Sequence, residues 1–262
     1  NGGWGLFTEI GSVRVSQGAL EGITGNGLGG IYASGGLELP EGFLLVGNGG
    51  PGIRLQNGNL QLTDVRIRKN GDHGIDLERA GLILRGSDSD VRDNRGDGVR
   101  AYASAVSVTQ ADISHNDGWG VRAYGAGPLA MSTTTLQNNA LGGILGGDVS
   151  FLGHRLIVGL NEGHGLMLSR GSLSVRDAQI NNNEGYGVYA AAVQPNLLDL
   201  VVSGNTKGGM AFESWHHDWA DVLPEQEARR EWETPVTWPP AADSVPPGIH
   251  NCRIADNGAD GV

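Results

Sequence analysis

The sequence predicts an all-β solenoid, in which the chain winds about an axis and each turn lays down three short parallel strands. One pattern, Asn-x-x-x-Gly-apolar, starts at Asn1, Asn26, Asn48, Asn70, Asn94, Asn116, Asn139, Asn161, Asn183, Asn205 and Asn257. Successive asparagines are 25, 22, 22, 24, 22, 23, 22, 22, 22 and 52 residues apart. That spacing belongs to repeats that cannot bury a face alone and must stack on their neighbours. Within a period the apolar residues alternate, as in Ile53 and Leu55, Leu60 and Leu62, Val65 and Ile67. Alternation is the period of strands, not of helices.

Each position of the unit has a physical task. Rungs stacked about 4.8 Å apart bring equivalent residues into columns, and ten turns make a rod on the order of 50 Å long. The asparagine amide both donates and accepts, so stacked copies form a ladder along the axis. Loss of one mid-ladder member such as Asn116 is expected to cost roughly 1 to 3 kcal/mol. The glycine four places on, as at Gly30, Gly52, Gly74 and Gly98, sits where the chain turns into the next strand. Either positive φ or the absence of a Cβ explains it.

A leucine-rich repeat is the rival, since Val65-x-Ile67-x-x-Asn70 matches its Leu-x-Leu-x-x-Asn core. That repeat wants leucine two places after the asparagine, where only Leu28 and Leu141 comply.

The units resemble those of the right-handed parallel β-helix repeat proteins, the pectate-lyase-like superfamily, especially the short Asn-x-x-x-Gly-Ile repeats of alginate C5-epimerases and NosD-like periplasmic proteins. The resemblance covers residues 1–212 and 249–262. It implies a right-handed parallel β-helix, which the repeat count makes about ten turns in a single domain over 1–262, with an insert over 213–248. A start at Asn1 and ends that fall inside the repeat make a segment of a longer chain the expectation. The resemblance is specific for fold and weak for activity. Pectate lyases gather several calcium-binding carboxylates on one sheet, whereas the outward column that begins two residues after each repeat glycine here has a single aspartate, Asp76. Gly163-His164-Gly165 matches the Gly-His-Gly of polygalacturonase-like enzymes in letters, without their Asp-Asp pair. Asp72-His73 is a partial match to the epimerase Asp-Pro-His-Asp.

The chain has 262 residues, 39% of them apolar, enough for a substantial core. Its net charge of −11 disfavours nucleic acid or an anionic membrane as partner, because phosphate binding needs basic surface. The single cysteine, Cys252, excludes an intrachain disulfide framework and multi-cysteine metal sites. No apolar run approaches the roughly 18 residues of a membrane helix. No cofactor and no metal is expected.

If the residue after each repeat glycine points inward, strand alternation sends the next one out. The outward column then reads Phe7, Tyr32, Arg54, Asp76, Arg100, Arg122, Leu145, Met167, Tyr189, Ala211. It is charged from Arg54 to Arg122 and apolar beyond. A companion column adds Gln56, Glu78, Tyr102 and Tyr124, and the turn residue before the glycine adds Pro51, His73, Asp97, Trp119, His164 and Tyr186. As a binding groove, this face sets Arg54, Arg100 and Arg122 against sugar carboxylates or sulfates, with Glu78 beside them. Tyr102, Tyr124 and Trp119 offer flat faces to sugar rings. His73 with Asp76 is the candidate acid–base pair. The plainer alternative is that Asp76 and Glu78 neutralise Arg54 and Arg100 on adjacent rungs.

After Phe212 the pattern stops, and the insert holds Trp215, Trp219, Trp232 and Trp238, with a short helix expected over Leu223 to Glu233. Exposed apolar residues at Leu145, Met167 and Tyr189 are expected to receive it as a clamp. His216, His217 and Asp218 read as polar loop surface.

The functional expectation is a secreted, cell-surface or periplasmic module presenting a rigid face to polysaccharide or another extracellular partner. A lyase, epimerase or hydrolase acting on an acidic glycan is the alternative, and a structural spacer the third reading.

Overall fold

The computed structural model describes residues 1–18, 21–125, 127–213 and 248–258. Every pairing among its strands is parallel and joins residues one repeat apart. Ile53 pairs with Ile75, Ile75 with Val99, and Val99 with Val121. The coil is three-sided. The first sheet holds the strands that follow the repeat glycine, such as Ile53–Gln56, Ile75–Glu78 and Val99–Tyr102. The second holds Asn59–Thr63 and Pro128–Ser132. The third holds Arg66–Arg68, Thr135–Gln137 and Ile157–Gly159.

About nine turns stand among the described residues, in keeping with the expected coil of about ten. The insert's four tryptophans, its expected helix and its expected clamp contact lie outside the described residues.

One continuous apolar core fills the coil. Ile31, Ile53, Ile75, Val99, Val121, Ile144, Leu166 and Val188 form a fully buried column behind the first sheet. Leu60 and Leu82 do the same from the second, and Ile67, Val91 and Ile113 from the third. Each rung buries its inward side chains against the rungs above and below, so no turn has a core of its own.

The corners are made by single residues in the left-handed region. Arg79 (φ 51) ends a first-sheet strand, Asp64 (φ 51) separates second from third sheet, and Lys69 (φ 54) precedes Asn70. Many corners are Asn or Asp, such as Asn57, Asp93, Asn138, Asp177 and Asn182, the residues that tolerate this region best after glycine. Where Asn70 and Asn94 lie 24 apart, the register shifts between Arg85 and Ser89. The extra residues are accommodated as a bulge, and the ladder beyond it is restored.

That ladder runs from Asn26 to Asn257. At each step the Nδ2 of one asparagine donates to the Oδ1 of the next, as in Asn70 to Asn94 (3.0 Å) and Asn94 to Asn116 (3.0 Å). The same Oδ1 accepts the preceding asparagine's backbone N–H, and Nδ2 also donates to a carbonyl of the previous coil. Asn1 bonds instead within its own turn, to Trp4 O and from Gly3 N.

The choice left open for the repeat glycine is settled by space. Gly74 and Gly98 have no positive φ. A Cβ on Gly98 would lie 2.6 Å from Gly120 O, 2.5 Å from Ile113 Cγ2 and 2.9 Å from Asn116 Nδ2. The ladder amide and the next coil's carbonyl occupy the volume that any side chain would need.

Candidate functional site

The outward columns of the first sheet fall in register as the alternation requires. Asp76 pairs with Arg54 on one side and Arg100 on the other, and Arg100 with Arg122. Asp76 is buried between the two arginines. Its carboxylate accepts from Arg100 Nε (2.9 Å) and Nη2 (3.0 Å), and Arg54 Nε stands 3.7 Å away. Such a bidentate pair is strong and geometrically specific. It is also the neutralising arrangement that the sequence left as the plainer alternative.

The companion column is more open. Tyr32 Oη donates to Gln56 Oε1 (2.8 Å), Gln56 Nε2 donates to Glu78 Oε2 (2.8 Å), and Arg79 Nη2 donates to Glu78 Oε1 (2.8 Å). Phe7 stacks on Tyr32 with ring centroids 5.0 Å apart. Tyr102, next in register after Glu78, is 44% exposed, and Tyr124 follows it, partly buried.

The turn column before the repeat glycine has a role that the sequence did not reveal. His73 Nδ1 accepts the backbone N–H of Asp97 (2.8 Å), Asp97 Oδ1 accepts that of Trp119 (2.7 Å), and His164 Nδ1 accepts that of Tyr186 (3.0 Å). These side chains cap a backbone donor on the following coil. A polar acceptor recurring before the glycine, one period from an N–H in need of a partner, was the available signal.

This assignment bears on the acid–base pair. With Nδ1 accepting an amide, the His73 proton sits on Nε2, 3.3 Å from Asp72 Oδ1. Burial lowers its pKa below the ordinary 6.5, against the opposing pull of Asp97. The ring is neutral near pH 7 and keeps no free lone pair to take a proton. Asp76 is likewise committed to Arg100. Asp97 is wholly buried, and its Oδ1 also accepts from Arg122 Nη2 (2.9 Å).

Two expectations are corrected. Trp119 is 6% exposed and presents no flat face, because its ring lies over Gly142, where a Cβ would come within 2.2 Å of it. Leu145 and Met167 are not an exposed patch but are buried with Trp119 in a second, smaller cluster flanked by Tyr124 and Tyr189. The absence of a side chain at Gly142 leaves the room into which the large indole folds.

His164 stacks with Tyr186 (centroids 5.8 Å, planes 3° apart) and lies 5.3 Å from Tyr189. Burial, with Lys207 nearby, lowers its pKa from 6.5 to about 4. Between these values the unfolded chain binds the proton that the folded one refuses, so the stabilising effect is complete above pH 6.5 and is lost as pH falls toward 4. Urea unfolding of the wild type is expected to lose about 1 to 3 kcal/mol more over this interval than that of His164→Gln. Parallel pH profiles for the two proteins would contradict this.

Among the described residues, no group of three or more His, Cys, Asp and Glu is placed to hold a metal ion. No helix among them is long and apolar enough to cross a membrane.

The first sheet's face and the stacked coils define a parallel β-solenoid with one polar, aromatic-bearing side. A family profile described as "Right handed beta helix region" matches residues 51–218. This is more than half of the chain, and the chain belongs to that right-handed β-helix family. No curated protein and no solved structure matches it.

Proposed function

We propose that this chain is an extracellular, cell-surface or periplasmic binding module whose first-sheet face holds a polysaccharide. The observation that carries this reading is the ordered row Phe7, Tyr32, Gln56 and Glu78, stacked or hydrogen-bonded along consecutive coils, with Tyr102 next in register after Glu78 and the row open to solvent at Phe7 and Tyr102. Aromatic faces and fixed polar groups on a rigid sheet suit sugar rings and hydroxyls, at little ordering cost. Arg54 and Arg100, with side chains 42% and 33% exposed, supply positive charge for a uronate or sulfate. Trp119 lies outside this surface, and Arg122 contributes chiefly through Asp97.

A glycan array read together with mass spectrometry of the products tests the proposal. Wild type is expected to retain uronate or sulfated glycans, more weakly in high salt. Arg54→Ala and Tyr102→Ala are each expected to reduce affinity by about 5- to 20-fold, without product formation. Arg100→Ala is the less clean probe, because it strips the buried Asp76 of its bidentate partner. Absence of any retained glycan, or variants that bind like wild type, would defeat the proposal. Unsaturated ends or inverted uronate stereochemistry, abolished by His73→Ala, would assign the enzyme alternative instead.

A further inference from the structure

The second sheet carries a groove of about 440 Å³ on its outer face, within the size range of ligand clefts. It lies on a different side of the coil from the face discussed above. One column of its lining runs through Ser107, Ala130, Leu152, Ser174 and Asn196, which stand in register on successive coils. The neighbouring column runs through Thr109, Ser132, His154, Arg176 and Leu198 in the same way. Serine and alanine keep the floor low. Leu152, 53% exposed, and Leu198, 37% exposed, stand above it as apolar contacts.

Three features restrict what such a groove holds. No lining residue is Asp or Glu, although the chain carries 29 acidic residues and a net charge of −11. Hydroxyls and one amide dominate the polar lining, and they both donate and accept. Basic groups are sparse: Arg176 is the one arginine or lysine in the lining, and His154 Nε2 is held by Asp177 Oδ2 at 3.1 Å.

We propose that this groove binds a neutral, extended, β-1,4-linked polysaccharide lying along the rod axis with about one sugar per coil. The rung spacing of about 4.8 Å is close to the advance of one pyranose in such a chain, so each sugar meets an equivalent pair of side chains. An extended peptide advances only about 3.3 Å per residue and falls out of step with the rungs. A polyuronate would set a carboxylate on every rung against a single arginine. Leu152 and Leu198 meet the C–H faces of the sugars, while Ser107, Ser132, Ser174 and Asn196 meet their hydroxyls.

Titration calorimetry of the full chain with cellohexaose, xylohexaose and mannohexaose tests the proposal, with cellobiose, hexagalacturonate and phosphatidylcholine vesicles as comparisons. At least one neutral hexasaccharide is expected to bind, about tenfold or more tighter than the disaccharide, with little salt dependence. Ser174→Trp fills the groove and is expected to abolish this binding. Leu152→Asp, at an exposed position that leaves the fold intact, is expected to weaken it. Tyr102→Ala on the first sheet is expected to leave it unchanged, which separates this site from the proposed first-sheet face. The proposal is overturned if none of the three hexasaccharides binds, or if binding survives both groove variants. Tighter binding of hexagalacturonate, or vesicle adsorption lost in Ser174→Trp, overturns it equally.

Discussion

Replacing Asn116 with alanine is expected to lower the free energy of unfolding by about 3 kcal/mol, because one change removes several buried hydrogen bonds together. Asn116 Oδ1 accepts both the backbone N–H (3.2 Å) and the Nδ2 (3.0 Å) of Asn94, while its own Nδ2 donates to Val91 O (3.1 Å) and Asn139 Oδ1 (3.0 Å). Alanine returns none of these. The Asn94 N–H then stays buried without its acceptor, and an unpaired buried donor costs more than a made bond contributes. Asn1→Ala is the internal control, since Asn1 is exposed and bonds locally. Its effect is expected within about 0.5 kcal/mol. Urea unfolding monitored by circular dichroism distinguishes the two, and equal midpoints would remove the ladder's energetic role.

Gly98→Ala is expected to be as damaging or more so, at about 3 kcal/mol or above, through a different cause. The added methyl meets Gly120 O at 2.6 Å, Ile113 Cγ2 at 2.5 Å and Asn116 Nδ2 at 2.9 Å. Two of these neighbours cannot yield, because the carbonyl belongs to the next coil's backbone and the amide to the ladder. Relief requires the coils to separate locally, which weakens the stacking on which each rung depends. By contrast, Gly2→Ala meets nothing within 4 Å, and its stability is expected to stay within about 0.5 kcal/mol of wild type. A Gly98→Ala protein that melts with the wild type would contradict the packing account.

The contrast between these residues shows why the fold was legible in the sequence and the site only in part. Asn70, Asn94 and Asn116 recur because stacking imposes the same environment on every coil, so periodicity alone locates them. The inward and outward columns follow from strand alternation, and the Asp76 pairing with Arg100 could be read from adjacent rungs. The turn column was different. His73 and Asp97 look like chemistry in a one-dimensional reading, whereas their acceptor atoms are taken up by backbone N–H groups 24 and 22 residues on. Trp119 was misread because its direction depends on the missing side chain of Gly142, a full coil away. The corners at Arg79, Lys69 and Ala103 (φ 48) had no local signal, since neither Arg, Lys nor Ala favours the left-handed region. The stacked sheets impose it on them.

The groove on the second sheet escaped the sequence for a related reason. Ser107, Ala130, Ser174 and Asn196 are unremarkable one by one, and only their register on successive coils turns small side chains into a continuous channel.

In-register coiling underlies the ladder, both faces and the groove, and a pair of engineered cysteines tests it most directly. In a Cys252→Ser background, Gln61→Cys and Ile83→Cys occupy paired, outward positions on adjacent coils, where parallel strands lie about 4.8 Å apart and within disulfide reach. Gln61→Cys with Ser107→Cys lies two coils apart, at roughly 9.6 Å and beyond that reach. The account predicts rapid, intramolecular disulfide formation in the first pair and none in the second, read by mass spectrometry under mild oxidation. Crosslinking of the second pair in preference to the first would show that the coils are not stacked in this register.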